Sequence, residues 1–151
     1  MLPNRDNYIE GKFPDLFKTG YTITSPQDQT YNCIAWTASD NTHWWEPDFF
    51  FQHYWPTTAP RNYSPQAYVL AYETVGYKIC DDSSFEEGYE KIAIYVDKKT
   101  NQVPHATRQL NNTTWTSKLG KNYDISHALE GLNGDTYARP EIFMKRVKPK
   151  I

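Results

Sequence analysis

In residues 90–97, Ile92, Ile94 and Val96 recur at every second position. That spacing puts side chains on one face of a β-strand. The chain after it supplies partners for such a strand. Residues 98–102 are a polar turn, residues 105–110 form a second strand-like segment, and Asn111-Asn112 predicts a tight hairpin turn. Residues 113–119 return and Gly120 closes the run. Residues 90–119 therefore predict a three-stranded antiparallel meander, and the remaining elements must pack against it.

Two helices precede the meander. Ser64 followed by Pro65 is a cap residue with proline at the first helical position. The helix runs to about Val75, and Gly76 ends it. Residues 31–38 predict a shorter helix with Ile34, Ala35 and Ala38 inward. Residues 77–80 read as a short strand. Residues 124–130 read as one or two helical turns stopped by Gly131, and residues 136–147 as a last strand broken by Pro140. Residues 1–30 are punctuated by Pro3, Gly11, Pro14, Gly20 and Pro26. They are expected to form an irregular arm, anchored by Tyr8, Phe13, Leu16, Phe17 and Tyr21. The expected organisation is an arm over residues 1–30 and one domain over residues 31–151. Its class is α+β, with helices followed by an antiparallel sheet.

A chain of 151 residues can bury one core, but only 38% of it is hydrophobic, while 16% is aromatic, with 12 Tyr and 5 Trp. Much of that core must be aromatic, with polar edges kept near water. A net charge of -2 leaves no electrostatic footprint for nucleic acid. The basic end, residues 145–150, reads as a solvated tail. No apolar run approaches the roughly 20 residues of a membrane helix, and the first residues lack the hydrophobic core of a signal peptide. The expectation is a soluble, cytoplasmic chain with no membrane partner, or one exported by a route that leaves no such signal. Its two cysteines, Cys33 and Cys80, are expected to be free thiols, a bridge between them being the alternative. His43 and His53 stand at no metal spacing, so no metal and no cofactor are expected.

Chemistry concentrates in residues 29–36. Cys33 has a polar run before it and an apolar, helix-compatible run after it, as at a helix N-terminus. Amides and dipole there favour the reactive thiolate. His105 opens a strand segment and is the candidate base. Asp124 is the first choice for orienting it, with Gln109, Ser117 and His127 as other candidates. Asn32 could donate an amide to an oxyanion. Ser117 and Lys118 lie across the hairpin from His105. Trp44, Trp45 and Trp55, in an aromatic run with no single period, would wall a substrate cleft. Two functions follow from these residues. In one, Cys33 attacks an amide or acyl bond of a peptide, protein or small molecule. In the other, Cys33 is a small core residue, and the aromatic wall with Arg108, Lys118 and Asp124 binds a ligand or protein without chemistry.

Several blocks also resemble the signature of an uncharacterised microbial single-domain family. They are residues 31–36 (YNCIAW), Trp44-Trp45, Tyr54-Trp55-Pro56, residues 88–95, residues 105–110 (HATRQL), residues 115–120 (WTSKLG) and residues 124–127 (DISH). Together they cover roughly residues 30–147. That resemblance implies a family and no activity. The order of cysteine at a helix start, then histidine on a strand, resembles the papain-like arrangement, including its cell-wall amidase and endopeptidase branch. There the histidine often opens the strand before an Ile-x-Ile-Tyr-like run. In this chain Glu90-Lys91 stand at that place, and His105 falls one strand later. The papain-like resemblance implies a hydrolase with Cys33 and His105 as its pair, possible as an effector or toxin.

Overall fold

The computed structural model describes residues 2–149. Seven strands form one sheet in the order β1-β6-β5-β4-β3-β7-β2, antiparallel throughout. They are β1 (Tyr21–Ser25), β2 (Lys78–Cys80), β3 (Tyr89–Asp97), β4 (Gln102–Gln109), β5 (Trp115–Lys118), β6 (Asp124–His127) and β7 (Arg139–Val147). Among the described residues four α-helices accompany it: α1 (Asn7–Lys12), α2 (Pro14–Thr19), α3 (Cys33–Thr37) and α4 (Pro65–Glu73). A 3-10 turn covers Leu129–Leu132. The class is α+β. No helix among the described residues is long and apolar enough to cross a membrane.

Strand alternation divides the core in two. Ile92, Ile94, Ala106 and Met144 face α3 and α4, joined by Trp45, Trp55, Tyr68 and Tyr72. Tyr95, Ile125 and Ile23 face the other way and pack with Ile9, Phe13 and Leu16 of α1 and α2. Tyr95 is directly opposite His105 and Ile94 opposite Ala106. Facing residues of neighbouring strands share a face. His105 therefore projects onto the α1–α2 side, while its neighbour Ala106 projects onto the α3 side.

Several expectations are corrected. The meander is present, but the expected irregular arm holds regular elements between residues 7 and 25: α1, α2 and edge strand β1, which pairs with β6. Asp6 accepts from the Ile9 N–H at 2.9 Å and caps α1, and Pro14 opens α2. Residues 124–127 are strand rather than helix, because Ile125 pairs between Ile23 and Ser117 inside the sheet. The Asn111-Asn112 turn is wider than a two-residue hairpin. Asn111 Oδ1 accepts from the N–H groups of both Thr113 and Thr114. Pro140 does not end β7; it faces Tyr95 at a register shift, where a proline costs no ladder bond. The basic end is not wholly a tail. Lys145 and Arg146 lie in β7 and pair with Glu86 and Glu90, while Lys150 lies outside the described residues. Cys33 and Cys80 are both free.

Candidate active site around Cys33 and His105

β4 and β5 pair only at Arg108↔Thr116 and Gln109↔Trp115 among the described residues. Beyond these pairs the ladder stops, and α3 packs against both strands. Asn32 fixes how the helix begins. Its Oδ1 accepts from Ala35 N–H at 3.2 Å and from Trp45 N–H at 3.1 Å, and its Nδ2 donates to Trp45 O at 2.8 Å. One side chain thus caps α3 and fastens the aromatic loop to it. The buried Lys118 ammonium holds the approach to Cys33 by donating to the carbonyls of Asp28 at 2.5 Å, Tyr31 at 3.2 Å and Gly120 at 2.5 Å. Tyr31 in turn donates to Asp124 Oδ2 at 2.9 Å.

Cys33 lines a cavity of about 240 Å³ with Trp44, Trp45, Tyr63, Tyr68 and Tyr137 among its walls. The residue is 8% exposed. Burial pushes its thiol up to about 11; the backbone N–H groups of Ala106, Ile34 and Cys33 itself, and the Lys118 charge, pull the other way. The amides at the start of α3 thus favour a thiolate, as expected of a helix N-terminus, but desolvation outweighs them. At neutral pH the resting sulfur is a thiol.

His105 is fully buried, and desolvation, with His127 nearby, holds its pKa well below the ordinary imidazole value. Its Nε2 is 3.0 Å from Ser117 Oγ, and Ser117 Oγ is 2.7 Å from His127 Nε2. His127 Nδ1 is 2.7 Å from the Ala128 carbonyl. These contacts assign the protons. A carbonyl only accepts, so His127 Nδ1 carries a hydrogen. Burial lowers His127 to about 4, so the ring is neutral and its Nε2 accepts. Thr107 spends its own proton on Thr116 O, so Ser117 Oγ shares its single proton between two acceptors, His127 Nε2 at 2.7 Å and Thr107 Oγ1 at 2.8 Å. Ser117 can only accept from His105, so His105 Nε2 carries the hydrogen and His105 Nδ1 is a bare lone pair. That Nδ1 is buried and has no hydrogen-bond partner among the described residues. Tyr137 lies flat on the imidazole, with centroids 4.0 Å apart and planes 6° from parallel. The same Tyr137 belongs to the cavity wall of Cys33.

The other candidate residues fall as follows. Asp124, the first choice for orienting His105, accepts instead from Tyr31 and Thr24. β6 carries it on the α3 face, opposite Lys118. Gln109 donates to Ser83 O at 2.9 Å and has no bond to His105. Asn32 lines the Cys33 cavity and gives one of its two amide hydrogens to Trp45 O. Ser117 and Lys118 are buried parts of the scaffold, Ser117 holding His105 and Lys118 the approach to Cys33. Trp44 and Trp45 line the cavity, while Trp55 stands behind, edge-on to Tyr68 at 5.0 Å. Tyr137 and the Ala106 amide escaped the sequence reading. Tyr137 lies outside the signature blocks and Ala106 stands in its block only as the neighbour of His105, and only the fold brings them to Cys33.

A family profile described as a domain of unknown function, DUF7689, matches residues 22–145. No curated protein and no solved structure matches the chain.

Proposed function

The chain belongs to the DUF7689 family, and we propose that it is a cysteine hydrolase of papain-like arrangement acting on an amide or related acyl bond. One observation carries this reading. His105 Nδ1 is a buried, unpartnered lone pair, held by Ser117 through Nε2, one residue from the amide that faces the Cys33 sulfur. A buried acceptor without a donor costs free energy, and a proton from Cys33 would satisfy it.

On this reading the thiol and imidazole rest neutral. When a substrate carbonyl fills the aromatic cavity, the Cys33 proton passes to His105 Nδ1 and the sulfur bonds to the carbonyl carbon. The amides of Cys33 and Ile34 are the nearest donors for the developing oxyanion. His105 then protonates the leaving amine or alcohol as its bond to carbon breaks, and water, deprotonated by His105, hydrolyses the thioester. Ser117 and His127 keep the ring in the required tautomer throughout. At rest His105 projects from the sheet face opposite the one α3 packs on and makes no hydrogen bond to Cys33, so the step needs the two side chains to meet where β4 and β5 part.

The rival reading, a binding module with an aromatic cavity, draws support from the burial that pushes the Cys33 thiol up to about 11. Acyl transfer separates the two. Incubation of native protein with p-nitrophenyl acetate is expected to place one acetyl group on Cys33, read by peptide mass, faster than on the more exposed Cys80. Cys33→Ser and His105→Gln variants that keep a cooperative thermal transition should lose the adduct. Acetylation of Cys33 no faster than that of Cys80 would reject the hydrolase.

A further inference from the structure

Beside the Cys33 cavity lies a second, larger hollow of about 510 Å³, and the walls of the two share Gly120 and Tyr137. Its sides are Tyr8, Lys12 and Phe13 from α1 and its end, and Lys121 from the β5–β6 turn. Two ammonium groups line it, and no carboxylate does. Neither lysine enters an ion pair among the described residues; Lys12 lies only over the Tyr8 ring, 5.4 Å from its centroid. The buried Lys118 ammonium donates to the Gly120 carbonyl from beneath the shared wall, facing Asp28 and Asp124 on its other side. The Cys33 cavity has the opposite character, with four aromatic walls besides Tyr137 and one carboxylate, Glu46, tied to Trp44 and Tyr63.

We propose that the second hollow is a subsite for the acidic part of an extended, peptide-like substrate whose apolar part fills the Cys33 cavity. The inference rests on the hydrolase reading for its direction, since it takes the bond to be cut as lying at Cys33. The chemistry is complementary: carboxylates meet Lys12 and Lys121, and apolar groups meet Phe13 and the rings of Tyr8 and Tyr137. Tyr137 stands at the junction and on His105, so a chain that crosses from one hollow to the other passes the ring that covers the base.

The test measures binding without turnover, in the full chain carrying Cys33→Ala. Two acetylated hexapeptides share an apolar half built of Phe and Leu; one ends in two Glu residues, the other in two Gln residues. By titration calorimetry at low salt the Glu peptide should bind about three- to tenfold tighter, the gain expected of two exposed ion pairs, and salt should erode that gain. The Glu peptide should shift the amide resonances of Gly120, Lys121 and Asn122. A Lys12→Gln/Lys121→Gln variant of unchanged thermal stability should bind both peptides equally. Equal affinity in the parent chain, absence of binding, or a preference that survives the lysine replacements would overturn the proposal. The hydrolase reading fails separately: a Glu preference in Cys33→Ala, with no acylation of Cys33 in the wild type, leaves an acid-binding groove without chemistry.

Discussion

Replacing Ser117 by Ala tests the proton assignment on which the chemistry depends. The change deletes one oxygen from a fully buried site, so lost packing is minor. It strands two groups: the His105 Nε2–H loses its acceptor at 3.0 Å, and His127 Nε2 loses its donor at 2.7 Å. A buried polar group without a partner costs about 1–3 kcal/mol. Thr107 Oγ1 stands 3.4 Å from His127 Nε2 and can turn to serve it, which leaves the His105 N–H stranded. The expected cost is therefore about 1–3 kcal/mol. At roughly 2–4 °C per kcal/mol for a chain of this size, the midpoint should fall by about 2–12 °C. Urea denaturation followed by tryptophan fluorescence, with thermal scans by circular dichroism, measures it. Ser126→Ala is the control: half-buried on the neighbouring strand and on the opposite sheet face, it should cost less than about 0.5 kcal/mol. A Ser117→Ala variant as stable as this control would refute the chain of donors, and with it the free Nδ1 of His105.

Stability should also fall as the solution is made acid. His127 binds its proton at about 4 in the folded chain, against about 6.5 unfolded, and His105 shifts in the same direction. Because the unfolded state holds more protons between those values, stability is complete above pH 6.5 and is lost as pH falls toward 4. His127 alone accounts for about 3 kcal/mol, and urea midpoints that stay flat from pH 7 to pH 5 would contradict this. Asn32→Ala should cost about 2–4 kcal/mol, since it removes a helix cap and leaves the buried Trp45 N–H and C=O without partners. Asn32→Asp, which keeps the acceptor but not the donor, should cost less; denaturant titration that ranks the two variants the other way would show that the Trp45 contacts are not what Asn32 supplies.

The sequence exposed some parts of the site and hid others for physical reasons. Ser64-Pro65 and Asn32-Cys33 mark helix starts by local chemistry, a side-chain acceptor beside free amides. Both starts stand where they were expected. Residues 124–127 misled, because a short segment running into a helical turn at Leu129–Leu132 fits a helix as well as a strand. Only pairing with β1 and β5 makes it β6. Asp124 seemed the natural partner for His105 because it carries a charge. Strand parity sends it to the other face, while the uncharged Ser117 projects beside His105.

Local rules thus settled the meander, the capped helices, the aromatic nature of the core and the choice of Cys33 and His105 as the residues worth asking about. Three-dimensional packing alone decided that β4 and β5 part beside α3. It also decided that Ser117 and His127 fix one tautomer of His105, and that Tyr137 covers that ring while walling the Cys33 cavity. The first set depends on neighbours a few positions apart along the chain. The second depends on which sheet face a residue takes and where a ladder ends, and neither is encoded in any short stretch of residues.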